Sequence, residues 1–300
     1  DVATGNDQIW IAEGVYVPGT SQGDSFRIDG TQDGLKIYGG FANGDAFADR
    51  NPTEHRTVLS GDIGDDDANK IGGVTRTADD IQGGNSNHVV SLDGTVGGGI
   101  TEATVIDGVT VTGGNADADG VAGGSGGGLL CYNNDTSCSP RIANVTFQGN
   151  ASPNAYGGGA VAIFGHSGVS NPTILNATFA GNSADDAGGA IFCYSVDTLT
   201  IINAVFVDNT ARNGGATDFR FGGELRITNA VFTKNAADNM GGAILFSPGP
   251  ESTGLVLANT IFWDNTASAY DNVNVSGDLY DDKGGNLDPN TDPLFVDASD

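Results

Sequence analysis

The chain reads as an all-β protein, a parallel β-helix of about 9–11 stacked coils, and three observations predict it. First, five segments share one pattern, a phenylalanine three residues after one asparagine and three before another. They run Asn144 to Phe147 to Asn150, Asn176 to Phe179 to Asn182, Asn203 to Phe206 to Asn209, Asn229 to Phe232 to Asn235 and Asn259 to Phe262 to Asn265, with phenylalanine spacings of 32, 27, 26 and 30 residues. Second, glycine pairs punctuate the same repeats, at Gly127-Gly128, Gly158-Gly159, Gly188-Gly189, Gly214-Gly215 and Gly241-Gly242. Third, the intervening runs are short, β-branched and aromatic, and show no helical periodicity.

The elements follow in chain order. The N-terminal third carries strand-like runs at looser spacing: Ile9 to Ala12, Val15 to Val17, Ser25 to Ile28, Leu35 to Phe41, Thr57 to Ser60, His88 to Leu92 and Ala103 to Val111. Residues 42–56 and 61–87 form longer loops between them, the kind of segment that carries function on a rigid solenoid. From residue 100 to 270 the repeat is regular. One coil reads Gly188 to Tyr194, then Leu199 to Phe206, then the turn-rich Asp208 to Asn213 before the next glycine pair. A unit of about 27 residues with two or three strands cannot bury both its faces, whereas stacking units about 4.8 Å apart encloses a continuous core. The phenylalanines then form an internal stack, and the asparagines a ladder of turn amides bonded to the backbone and to their neighbours above and below. Because such an array grows along one axis, residues 1–300 form one domain, with irregular coils over 1–99 and regular ones over 100–270.

Composition narrows the function classes. There are 48 glycines, but hydrophobic residues reach 38%, enough for a core, so the chain is neither disordered nor collagen-like. With 38 Asp plus Glu against 12 Lys plus Arg, the net charge is −26, which repels phosphate backbones and anionic headgroups; nucleic acid is not an expected partner. No apolar run is long enough to insert in a membrane. Cys131 and Cys138 stand close together in a polar stretch, a short disulfide-closed loop of an oxidising compartment. Asp1 is not a natural start, and Val2 to Trp10 reads as the middle of a pattern, so the chain looks trimmed or processed.

Repeats of the form Gly-Gly-Ala-Ile followed by Asn-x-x-Phe-x-x-Asn-x-Ala resemble the polymorphic outer membrane protein repeats of bacterial surface and secreted proteins. The segments Asp7 to Tyr16, Tyr38 to Phe41 and Leu59 to Ile63 look like the N-terminal coils that accompany such repeats, and Asp292 to Asp297 like the start of a closing coil spanning 271–300. The resemblance implies a single-stranded right-handed parallel β-helix at the cell surface or outside the cell. It implies little about activity, because the fold carries adhesins as well as polysaccharide lyases and hydrolases.

Candidate site residues come from the alternation of side chains along strands. Taking Leu130, Val161, Ile191, Thr217 and Ile244 as one inward row, the next inward row is Tyr132, Ile163, Cys193, Phe219 and Phe246. Cys193 is then a buried, inert thiol. The outward columns become Cys131, Ala162, Phe192, Asp218, Leu245 and Asn133, Phe164, Tyr194, Arg220, Ser247. Cys131 pointing outward agrees with its pairing to Cys138. Asp218 and Arg220 beside Phe192, Tyr194 and Phe164 make an exposed patch of rings next to an ion pair, a mixture that suits sugars; His166 and Trp263 extend the set of candidate substrate-binding residues. The alternative is a plain cross-strand ion pair on a surface.

A hydrolase needs two facing carboxylates, for which Asp218 has Glu224, Asp208 or Asp197 as partners; a lyase needs a base, for which Arg220, Tyr194 and His166 are eligible by type. Asp62, Asp65, Asp66 and Asp67 supply closely spaced oxygens around Gly64, a set suited to calcium without the spacing of an EF-hand. Asn115 to Gly120 and Asp278 to Asp282 are weaker versions. His55, His88 and His166 lack partners at zinc spacing, and no serine sits in a nucleophile elbow. The sequence thus predicts an extracellular or cell-surface protein that binds a polysaccharide or a neighbouring cell's glycan, or mediates adhesion. A carbohydrate-active enzyme, hydrolase before lyase, using Asp218 and Arg220 is the alternative, and a structural stalk the third reading.

Overall fold

The computed structural model describes residues 3–154, 156–166, 168–276 and 280–287. It is a parallel β-helix of about nine turns. Three parallel sheets run along it, of fourteen, eight and five strands, and each coil contributes to all three once the repeat is regular. In one coil the strand Ile191–Tyr194 lies in the eight-stranded sheet, Thr198–Val207 in the fourteen-stranded sheet and Thr210–Asn213 in the five-stranded one. The segment Asp292 to Asp297 lies outside the described residues.

The phenylalanine repeat is the axis of the core. Phe147, Phe179, Phe206, Phe232 and Phe262 stack face to face with centroids 5.2, 4.7, 4.4 and 5.2 Å apart. All five are buried. Each contributes roughly 1.5–3 kcal/mol by leaving water, and each ring pair about 0.5–1.5 kcal/mol more.

The flanking asparagines form two ladders. Those after each phenylalanine are buried: Asn150, Asn182, Asn209 and Asn235 each donate Nδ2 to the Oδ1 of the next coil's asparagine at 2.9–3.0 Å. Their own backbone N–H groups donate to that same oxygen. Those before each phenylalanine are exposed and run the other way. Asn176, Asn203, Asn229 and Asn259 donate Nδ2 to the Oδ1 of the preceding coil's asparagine, and Asn144 closes the row on Asp107. The exposed asparagines all have left-handed backbone, φ 50 to 57°, which asparagine tolerates better than other residues with a Cβ.

At the third corner Gly188 has φ +57°, and a Cβ on Gly189 would fall 2.3 Å from the Gly215 carbonyl oxygen and 2.4 Å from that of Thr210. Both glycines of the pair are therefore required, for different reasons. One coil corrects the sequence register. Gly126-Gly127-Gly128 is a triple, and its first two residues, not its last two, stand over Gly158-Gly159, so Leu129 and not Leu130 pairs with Val161. Leu129 and Cys131 consequently point inward, while Leu130 and Tyr132 point out. The Cys131–Cys138 disulfide is formed, but it is wholly buried in the core, under the column that continues to Ile163 and Cys193. Asn133 is buried too, donating to the Thr136 carbonyl and the Ser170 hydroxyl.

Candidate functional site

The eight-stranded sheet turns two columns away from the core. One runs Leu130, Ala162, Phe192, Asp218, Leu245, and the other Tyr132, Phe164, Tyr194, Arg220, Ser247. Outward direction does not mean exposure here. Phe164 is 2% exposed, Phe192 5% and Asp218 0%, so the expected open patch is a covered one. Loop 115–126 and the segment at Tyr156 fold over these strands. Ala122, in the helical turn Gly120–Gly123, and Ala187, in the strand Ser183–Ala187, pack against Leu130, Ala162, Phe164 and Phe192. What remains open is a cavity of about 380 Å³, bounded by Val121 and Tyr156 from the covering loops and by Phe164, Phe192, Tyr194, Arg220, Phe221, His166 and Asp186. That volume falls at the lower end of the range of small-ligand sites.

The polar floor is one guanidinium between two carboxylates. Arg220 Nε donates to both oxygens of Asp218 at 3.0 and 3.1 Å, Nη2 to Asp218 Oδ2 at 2.7 Å, and Nη1 to Asp186 Oδ2 at 3.3 Å. Its Cζ also lies over the Phe192 ring, 5.5 Å from the centroid. Burial pushes the Asp218 carboxyl up to about 6 against the hydrogen bonds from Arg220. Asp218 therefore lies behind the cavity wall, and Asp186, 27% exposed, is the carboxylate that reaches the opening.

The rim is aromatic. Tyr194 and Phe221 are 5.3 Å apart, and Phe192 and Tyr194 6.5 Å. His166 is exposed at the mouth, 5.4 Å from Tyr132 and 6.3 Å from Phe164. Phe221 combines two costs: its backbone is left-handed at φ +56°, and its ring is 57% exposed. A bulky residue with that backbone is strained by roughly 1–2 kcal/mol, and the exposed ring recovers little of this by burial. Sequence reasoning missed Phe221, Asp186, Tyr156 and Val121. Phe221 carried a signal: the matching positions one coil either side are Ser195 and Pro248, so the aromatic ring is out of pattern there.

The other predicted residues lie elsewhere. Trp263 is half-buried in the strand Ile261–Trp263 of the fourteen-stranded sheet, beside Thr233 and away from the cavity. In the acidic loop, ligand atoms of Asp62, Asp66 and Asp67 converge to within 4.8 Å, while Asp65 faces solvent. Protein donors already engage the loop. Asp62 accepts from Lys70 Nζ and from the Asp66 and Asp67 amides, and Asp67 from Thr75, Gln82 and Asn85. Burial pushes the Asp67 carboxyl up in spite of those bonds, and the Lys70 ammonium holds Asp65 down. Calcium bound here would have to displace Lys70. A second aromatic group sits on the N-terminal coils, where Trp10 stacks on Phe41 at 5.3 Å and Phe47, from loop 42–56, leans against both.

No known protein family, curated protein or solved structure matches this chain.

Proposed function

We propose that the protein is an extracellular or cell-surface β-helix that binds a glycan in the cavity between Tyr194, Phe221 and Asp186. The observation that carries this reading is Phe221, an exposed ring kept at a strained backbone position on the rim of an aromatic cavity. The left-handed backbone recurs one coil earlier at Ser195, φ +55°, so the corner accounts for the conformation; a bulky exposed ring placed on it is what stacking does not require. Ring faces at a cavity mouth cover the C–H surfaces of a sugar while the charged floor fixes its hydroxyls. The buried disulfide supports an oxidising compartment. The resemblance to polymorphic outer membrane protein repeats supports the surface setting, and adhesion through such a site is the same reading on a larger scale.

A second reading has its own observation. Asp186 and Asp218 share one guanidinium from different environments, Asp186 partly exposed at the opening and Asp218 buried behind it and raised to about 6, so a hydrolase would use Asp186 directly and would need Asp218 uncovered to supply the second carboxylate. One experiment separates the readings: incubation with a polysaccharide panel, scoring both retention and released reducing ends, on the wild type and Phe221→Gly. Glycine relieves the left-handed backbone, so the variant is expected to be as stable as the wild type or more stable by about 1 kcal/mol, yet to lose most retention. Released ends would move the assignment to the enzyme. Neither retention nor release leaves a structural stalk.

A further inference from the structure

We infer that the sugar this cavity takes carries a free ammonium group, an amino sugar of a de-N-acetylated glycan, and that Asp186 is the residue pairing with it. This rests on the glycan reading and adds the sign of the ligand's charge.

The charge count is the first argument. Two carboxylates, Asp186 and Asp218, share one guanidinium. Arg220 spends Nε and Nη2 on Asp218 and Nη1 on Asp186, and its flat face covers Phe192, so its charge is already committed. One negative charge is left over, and among the described residues no lysine or second arginine lines the cavity to offset it. The second argument is a free acceptor. Asp186 Oδ2 takes the Arg220 bond, whereas no hydrogen bond to Asp186 Oδ1 is present among the described residues. A neutral sugar closing over that oxygen would give it a hydroxyl hydrogen bond but leave the surplus negative charge uncompensated, and enclosing an uncompensated charge is costly. An ammonium satisfies it with a charge-assisted bond.

The rings agree with this sign, because aromatic faces attract cations as well as C–H surfaces. So does the adjoining groove beyond Phe221 and His166, of about 320 Å³, whose lining adds Asp197 and Glu251 and, among the described residues, no lysine or arginine. Two neighbouring acidic sites suit a glycan with a positive charge on successive sugars. A uronic acid polymer meets the opposite arrangement, and a protein of net charge −26 repels it at longer range.

The test is titration calorimetry of the full chain with a glucosamine hexamer, the matching N-acetylglucosamine hexamer and an oligogalacturonate. The glucosamine hexamer is expected to bind at least tenfold more tightly than its N-acetylated counterpart. Asp186→Asn should abolish that preference, with a circular dichroism spectrum matching the wild type showing that the variant is folded. Phe221→Gly should weaken both, and Glu54→Gln, a remote exposed acid, neither. Equal binding of the two hexamers, or stronger binding of the galacturonate, overturns the charge inference and leaves the glycan site standing. A preference that survives in Asp186→Asn overturns it too, as attraction to the acidic surface at large. If no oligosaccharide of any charge binds, the glycan reading falls and this inference with it.

Discussion

The asparagine corner and the arginine floor both take polar groups out of water, and they do so in opposite ways. At the corner the groups are neutral, identical from coil to coil, and fully paired, because each Oδ1 accepts two N–H groups from the coil before it. At the floor they are charged and occur once. The residues equivalent to Asp218 and Arg220 in the next coil are Leu245 and Ser247, and in the preceding one Phe192 and Tyr194. Stacking demands the first arrangement of every coil. It demands the second of none, so the floor is where the chain departs from what stacking requires.

The largest expected effect tests the floor. Arg220→Ala strands the Asp218 carboxylate in a buried site and should cost about 3–5 kcal/mol in urea unfolding at neutral pH. Its pH dependence follows from Asp218. The folded carboxyl titrates near 6, above its ordinary 3.8, so its stabilising contribution is complete below 3.8 and is lost as pH rises through about 6. Arg220 holds the carboxyl down, so removing it lifts Asp218 further. The penalty is expected to be small below about pH 6, where the carboxyl is protonated in both proteins, and to grow as pH rises above 6; a penalty independent of pH would mean that Asp218 is not the stranded group.

Next in size is the corner. Asn209→Ala removes the acceptor of two Asn182 donors and leaves the Phe179 carbonyl without its side-chain donor. At about 1–3 kcal/mol for each orphaned buried group, it should cost about 3 kcal/mol or more. A sharper probe replaces the floor by its neighbour. The pair Asp218→Leu with Arg220→Ser copies the next coil and removes both charges together, so stability should hold or rise, while the glycan retention proposed for the wild type should disappear. Loss of stability in that variant would show that the ion pair serves the fold, erasing the contrast. The smallest effect belongs to the exposed ladder: Asn203→Ala is expected to cost about 1 kcal/mol for its left-handed backbone, and Asn203→Gly only roughly a few tenths, both read from thermal unfolding.

The fold was legible because its determinants repeat. Phe147 through Phe262 announce the core stack and the flanking asparagines announce the turns, since stacking imposes the same residue at the same place in each coil. Where the pattern was ambiguous the reading slipped: the triple glycine at 126–128 allows two phases, and a shift of one residue sends Cys131 from the surface to the core. The site was half legible. Alternation placed Phe164, Phe192, Tyr194, Asp218 and Arg220 on one face, but it says nothing about what folds over that face. Val121 and Tyr156 come from irregular loops, and Asp186 from a different sheet, so no period in the chain connects them with Arg220.

The two asparagine rows also oppose each other electrically. In an α-helix every peptide dipole points the same way, so partial charges accumulate at the ends. Here the buried amides donate toward the C-terminal end and the exposed amides toward the N-terminal end. Their axial side-chain dipoles offset each other coil by coil, so further repeats would lengthen both ladders without accumulating a net side-chain amide dipole along the axis.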